Sequence, residues 1–350
     1  MKSGRTPTRT RGITVLLSVL LLASILLATT IGAAHITIAD SAHYLWAAAT
    51  GSTLDHASFT DYTVVTTIRL PRAILAALVG AGLSVLGIAA QTMVRNPLAD
   101  PFILGISSGA SIGAAAVITL GLFANWGIYG LSFAAFCSAL LASAVVYSLA
   151  WSPTGLNPTR LILIGVVISF GFQGITSAIV FFEPRGDAAR TIMFWLLGSF
   201  GGATWSQLPL ATTAVIASII TMWWLSTTLD VLSAGDASAL SMGINPKNMR
   251  RILFIIIAIG TGTLVAISGT VGFVGLVVPH IVRMLCGPTH RTLVLLAPLI
   301  GAILMVWVDI ISRSLVPPRE LPIGIVTALI GVPLFIVIIR STDHTHGGTR

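Results

Sequence analysis

The sequence predicts an all-α integral membrane protein with about ten membrane-crossing helices, and three observations carry that prediction. Of 350 residues, 55% are hydrophobic and only 9% are charged, against about 25% charged in a soluble domain; mean hydropathy is +0.97. Apolar runs of about 20 residues, the length that crosses a bilayer, recur along the whole chain. The charges gather between those runs. The net charge of +8 therefore reflects Lys and Arg held on one side of a membrane, not an affinity for nucleic acid.

Lys2, Arg5, Arg9 and Arg11 make residues 1–12 a basic tail, and the first run, 13–34, follows it. It begins like a signal peptide, but roughly 22 apolar residues exceed the 7–15 of a signal core, which predicts an uncleaved span. The later runs are 67–93, 105–122, 127–150, 160–182, 205–227, 251–269, 272–286, 292–312 and 322–340. The eighth is short, and the glycines before it predict a bend. Segment 187–200 is too short to cross and is predicted to lie at the interface or re-enter as a half-helix. Ten spans put both termini, including the tail 341–350, on one side. With that side cytoplasmic, Arg69, Arg72, Arg185, Arg190, Arg313 and Arg319 lie outside and the other thirteen of the 19 Lys and Arg lie inside, as the positive-inside rule requires. The same count puts loop 35–66, with Asp40, Asp55 and Asp61, outside and loop 230–248 inside.

Smaller features add less. Cys137 and Cys286 both sit in apolar stretches and are predicted as buried apolar fillers, not a disulfide or metal site. Asp343, His344 and His346 in the C-terminal tail form only a loose metal-binding pattern in what is expected to be a disordered end. "GAGLSVLGIA" (80–89) and "GTGTLVAISG" (260–269) share a Gly-x-Gly and run in opposite directions, as an inverted repeat would. The plainer reading is that these glycines let helix backbones approach closely.

No phosphate-binding loop, His-Glu-x-x-His or Cys-x-x-Cys is present. Asp309 is the one acid well inside a predicted span. Ion-coupled carriers keep intramembrane acids or histidines as coupling sites, so their scarcity points to energy supplied by another chain. One polar interruption stands out. "NPLADP" (96–101) contains two X-Pro steps, each of which drives the preceding residue out of helix; Ser107, Ser108, Gly109 and Ser111 then open the next span. Such a turn is either a plain hairpin loop or irregular backbone lining a water-filled path.

The stretch "RLPRAILAALVGAGLSVLGIAAQTMVRNPLADPFILGISSGASIGA" (69–114) resembles the FecCD-type permeases of bacterial ATP-binding-cassette importers for iron-siderophores, haem and vitamin B12. So do "LSAGDASALSMGIN" (232–245), "GFVGLVVPHIVRMLCGPTHR" (272–291) and "ELPIGIVTALIGVPLFIVIIR" (320–340). The resemblance implies a single permease domain over 13–340 with the BtuC-like, type II fold: ten helices, an inverted repeat, and a path along the interface with a second permease subunit, in homodimer or heterodimer. It further implies two cytoplasmic ATPase subunits that bind ATP and magnesium, and an external substrate-binding protein. The permease itself is expected to have no enzymatic activity and no cofactor, and to reside in the bacterial cytoplasmic membrane. A metal chelate is the implied cargo, most often a ferric siderophore, with haem and vitamin B12 as alternatives. An ion-coupled carrier acting alone is the competing function.

The resemblance also assigns candidate residues. Gln91, Asn96, Ser107 and Ser108 are candidates for the translocation path. Arg69 and Arg72, three apart and so on nearly one helix face, and Arg313 are candidates for docking the binding protein; the alternative is arginines that snorkel to the interface. Loop 230–248 is the candidate coupling element. Leu232, Leu240, Met242 and Ile244 would form the apolar side of a short helix pair turning at Gly235 and Gly243, and Gly235, Asp236, Ala239, Leu240, Gly243 and Ile244 would face the ATPase. Where the family often has Gly-Asp-Glu-x-Ala, this chain has Gly235-Asp236-Ala237-Ser238-Ala239 and lacks the second acid. An ordinary amphipathic surface loop is the alternative.

Overall fold

The computed structural model describes residues 7–346 except 33, 54, 56, 57, 154, 184, 185 and 318. Lys2, Arg5, Arg185 and Arg350 lie outside the described residues, as do the side chains of Arg9, Arg340, Asp343, His344 and His346.

Among the described residues the regular structure is helical. The helices are α1 (Pro7–Thr30), α2 (Ile38–Thr50), α3 (Phe59–Thr63), α4 (Leu70–Val94), α5 (Ile106–Leu120), α6 (Ile128–Ala150), α7 (Pro158–Phe181), α8 (Gly186–Leu196), α9 (Leu208–Trp224), α10 (Ser226–Ser233), α11 (Asp236–Ser241), α12 (Pro246–Ser268), α13 (Val274–Cys286), α14 (His290–Ser314) and α15 (Ile323–His346). Local chemistry sets many of the ends. Asn157 and Asn245 cap α7 and α12 by accepting from the amides of Arg160 and Lys247, each followed by a proline that suits the first helical turn.

All ten predicted apolar runs fall on helices, but their lengths differ. Six helices are long and apolar enough to cross a membrane, and α9 with α10, bent by 64°, makes a seventh. The apolar parts of α5, α13 and α15 are shorter. At 1.5 Å per residue, α13 rises about 20 Å, short of a hydrocarbon core of about 30 Å. By length the described residues thus hold six clean crossings and one broken one, with three shorter apolar helices beside them. Segment 187–200 contains the half-helix α8, and the bend expected before the eighth run is the break at 269–273. Cys137, expected to be buried, is exposed on α6 as a free thiol, and Cys286 is half-buried.

Helix α4 is the centre. Its apolar window is 83% buried within the chain, against 11% for α7. Small residues make this possible. A Cβ on Gly80 would lie 2.1 Å from the Gly301 carbonyl oxygen on α14, and one on Gly87 would lie 2.0 Å from the Gly275 carbonyl oxygen on α13. The backbones touch directly there. The Gly-x-Gly of the other echo also serves packing, since a Cβ on Gly260 would meet Leu86 of α4 at 2.8 Å.

The "NPLADP" turn is exposed at Pro97 and Leu98 and buried at Ala99 and Pro101, so its second half enters the bundle. Asn96 Oδ1 accepts from the Leu98 amide and Asp100 Oδ1 from the Phe102 amide, so both side chains fold the turn on itself. A 3₁₀ turn, Pro101–Leu104, then wedges inward: a Cβ on Gly275 would strike Pro101, and one on Gly165 of α7 would strike the Ile103 carbonyl at 1.8 Å.

A second irregular region joins the ends of α8, α12 and α15. The Ser199 amide donates to Ser268 O (2.9 Å), Ile323 N to Gly198 O (3.0 Å) and Gly324 N to Leu197 O (2.8 Å); the Thr270 hydroxyl donates to Leu196 O. Phe200, Ser268, Val271 and Ile323 are buried there. Broken helices survive in such surroundings because the freed backbone groups find partners within the protein.

Gly87→Leu and Gly80→Leu are therefore expected to destabilise the purified protein by about 1–3 kcal/mol or more through overpacking. Gly262→Ala, whose added methyl meets Phe136 at 3.5 Å and Ala139 at 3.7 Å, both ordinary contacts, is expected to be neutral or mildly stabilising. Thermal unfolding of the three variants in one detergent checks the contrast.

Candidate functional site

A cavity of about 910 Å³ lies between α5, α7 and α8. Ser107, Ser108 and Ser111 line it from the first turns of α5. Ser169, Gln173, Thr176, Ser177 and Val180 line it from α7 at helical spacing, and Thr270 and Arg190 complete it. Ser108, Ser111 and Thr176 donate to carbonyls of their own chain turn (Gly105, Ser107 and Phe172). Their donors are used, and their lone pairs remain for a guest. Ser107 and Ser108 thus sit in this cavity as a pair. Gln91 and Asn96 do not. They line a separate cleft of about 180 Å³ with Thr92, Arg95, Ser233 and Arg283, and Gln91 is buried, donating to the carbonyls of Gly275 and Leu276.

That cleft lies at the end of the bundle formed by loop 230–248. The loop is the predicted helix pair, α10 and α11, turning at Gly235 with φ 122°. Gly243 has φ 76°. Gly243 N donates to Leu240 O (3.0 Å) and Ile244 N to Ala239 O (2.9 Å), the paired bonds of a Schellman stop, which needs glycine's left-handed freedom. Ala239 and Leu232 are buried, whereas Leu240 and Met242 are 62% and 66% exposed. The apolar residues of the loop thus divide between an inner face that anchors it and an outer face left bare.

The loop is tied to three long helices by contacts that sequence reading missed. Asp236 receives two hydrogen bonds from Arg250 of α12 (2.6 and 3.0 Å) and lies 3.6 Å from Arg95 at the end of α4. Arg250 also donates to Met93 O of α4. Arg250, with Arg95 adding to its field, holds the Asp236 carboxyl below the usual carboxylate range. Asp230 of α10 accepts from the His290 amide at the start of α14 (2.9 Å) and from the His290 ring (2.6 Å). With that ring nitrogen protonated, the other accepts from the Thr92 hydroxyl of α4 at 2.7 Å. An acid 60 residues from its histidine leaves no signature in local sequence; only a polar group at each helix end hints at it.

At the opposite end the three arginines expected to face outward are turned inward. Arg69 is 5% exposed and donates to the carbonyls of Thr29, Thr30 and Ala34, satisfying orphan groups at the end of α1. Arg313 donates to Ala28 O (2.6 Å) and lies 3.5 Å from Asp309. Arg72, 6% exposed, pairs with Asp309 at 2.8 Å and Glu320 at 2.7 Å. The sequence displays these charges but not the carbonyls and the buried Asp309 that claim them. Glu320 alone is half-exposed in this network.

A family model described as the FecCD transport family matches residues 20–341. The chain belongs to that family. Curated relatives include a cobalamin import system permease protein, BtuC, of Halobacterium salinarum, 38% identical over 81% of this chain and 75% of that protein. An Fe(3+)-citrate import system permease protein, YfmD, of Bacillus subtilis is 35% identical over 89% of each chain. A solved structure, provisionally described as a metal-chelate type ABC transporter in an inward-facing conformation, covers 95% of this chain and 99% of its own with TM-score 0.82 and 30% identity. This FecCD chain is a multi-pass membrane permease of an ATP-binding-cassette importer of metal chelates, a subunit that is not itself an enzyme and has no cofactor of its own.

Two outcomes follow from the charge clusters. Removing one partner of a buried ion pair strands the other, at about 3–5 kcal/mol. Asp309→Ala is expected to lower stability in detergent far more than Glu320→Ala, as read by thermal unfolding. Because the Asp236 pKa is depressed in the folded state, its contribution is present above the ordinary carboxylate range and lost as pH falls through the depressed value. Hydrogen exchange in α11, corrected for intrinsic rate, is expected to be flat from about pH 5 to 8 and to accelerate only in stronger acid.

Proposed function

We propose that this permease carries a ferric chelate inward across the bacterial cytoplasmic membrane, with two ATPase subunits on the side of α10–α11 and a binding protein on the opposite side. Both termini are cytoplasmic in this reading, in line with the bias of Lys and Arg. The observation that carries the division of labour is the loop of α10 and α11. It is held rigidly to α4, α12 and α14 by Asp236 and Asp230, and it offers Leu240 and Met242 bare to a partner. A short apolar helix face is what fits a groove on another protein. Motion of that partner then reaches three helices at once.

The cavity between α5, α7 and α8 serves as this subunit's share of the path, with Ser107 and Ser108 on its wall. The narrow cleft with Gln91 and Asn96 serves as its cytoplasmic mouth. Helix α7 leaves Val167, Phe170 and Phe181 more than 60% exposed, which supports a second permease subunit facing it across a shared path. Binding-protein docking falls to the Arg72–Glu320 rim, where a partner's carboxylate can displace half-exposed Glu320; Arg69 and Arg313 support that rim from within. A ferric siderophore or ferric citrate is the preferred cargo over haem or cobalamin, on the strength of the iron-citrate relative, whose name states that cargo.

Co-purification with the ATPase subunits tests the coupling role. Leu240→Asp is expected to lower recovered ATPase at least severalfold while membrane insertion stays normal. Gly243→Val has open space around the new side chain, so its effect is backbone strain of about 1–2 kcal/mol at the helix stop. It is expected to weaken cargo-stimulated ATP hydrolysis more than assembly. Full assembly with normal stimulated hydrolysis and uptake in both variants would contradict the assignment.

A further inference from the structure

Among the described residues, Arg190 is the one charged residue lining the large cavity. Four buried arginines are spoken for: Arg72, Arg250 and Arg313 face carboxylates, and Arg69 faces helix carbonyls. Arg190 differs. It is exposed on α8, its guanidinium lies 5.8 Å from the Phe194 ring centroid, and among the described residues no carboxylate forms an ion pair with it. The remaining polar wall is neutral. Its back-bonded hydroxyls accept hydrogen bonds from a guest's O–H groups or hydration shell, which does not sort guests by charge.

A cation without a bonded carboxylate at the edge of a cavity with low-dielectric walls focuses its field into that cavity, concentrating anions and disfavouring cations. Stacking on Phe194 holds the guanidinium in place without neutralising it. We infer that Arg190 makes the cavity selective for metal chelates of net negative charge, such as those built from carboxylate ligands, over neutral or cationic chelates. The inference rests on reading this cavity as the cargo path, and it narrows the cargo by chemical class.

The test is uptake into proteoliposomes containing the complete transporter, with ferric citrate as the anionic probe, ferrichrome and cyanocobalamin as neutral probes and ferrioxamine B as the cationic one. Wild-type protein is expected to move ferric citrate best. Arg190→Gln is expected to lower ferric citrate uptake on the order of tenfold, less than the roughly hundredfold that one unit charge at ~6 Å gives at an effective dielectric of about 20, because the exposed guanidinium is screened by solvent. Uptake of the neutral probes is expected to stay unchanged, and Arg190→Lys to retain most of the anionic uptake. An unchanged ferric citrate rate in Arg190→Gln, an equal loss for anionic and neutral probes, or a wild-type preference for a neutral or cationic probe would overturn the inference while leaving the permease reading intact. Movement of none of the probes by wild-type protein would overturn the proposed ferric-chelate cargo and the inference together, with the family assignment untouched.

Discussion

Helix α4 touches its neighbours backbone to backbone, and that contact constrains the rest of the chain. At Gly80 it meets Gly301 of α14, and at Gly87 it meets Gly275 of α13, with no room for a methyl group at either place. In lipid there is no hydrophobic force between apolar helices, so such close fits and polar contacts hold them together. A helix gripped this way on several sides cannot slide alone. Anything that displaces it displaces α13 and α14 with it.

The two ends of α4 are finished in polar chemistry for that reason. At one end Arg72 is locked to Asp309 of α14 and Glu320. At the other, Thr92 meets His290, the Met93 carbonyl meets Arg250, and Arg95 meets Asp236. The loop of α10 and α11 thereby belongs mechanically to α4, α12 and α14. The cavity wall of α5 and α7 does not share those ties; it packs on α12 and α4 and on the wedge of Pro101–Leu104 without ion pairs to them among the described residues. Relative movement between hub and wall is where opening and closing of a path can occur.

Local rules made much of this legible. The helix stop at Gly243 followed from a glycine placed before Ile-Asn-Pro, and the ten apolar runs each became a helix because lipid-length hydrophobic segments have few alternatives. The half-helix at 187–200 was readable from its length. The outward arginines were misread. Sequence shows that Arg69, Arg72 and Arg313 are charged, but their partners are carbonyls and carboxylates that only the folded bundle brings near. The same limit hid Asp230, His290 and Arg250, whose pairs span long separations. The cavity was half-visible: Ser107 and Ser108 were chosen for lying beside a broken turn, while the hydroxyls of α7 went unmarked because a polar face on a lipid-length helix has no local consequence until a neighbouring helix faces it.

Distances between spin labels in the assembled transporter bear most directly on the claim that the loop and hub move as one body. Labels would replace exposed Met242 beside α11 and Arg291 at the head of α14, and, in a second pair, Met242 and exposed Leu163 on α7. The account predicts that adding ATP leaves the Met242–Arg291 distance unchanged within the width of its distribution, while the Met242–Leu163 distance shifts. A nucleotide-driven shift in the first pair as large as that in the second would contradict it, because the Asp230–His290 and Asp236–Arg250 ties would then have to break with each cycle.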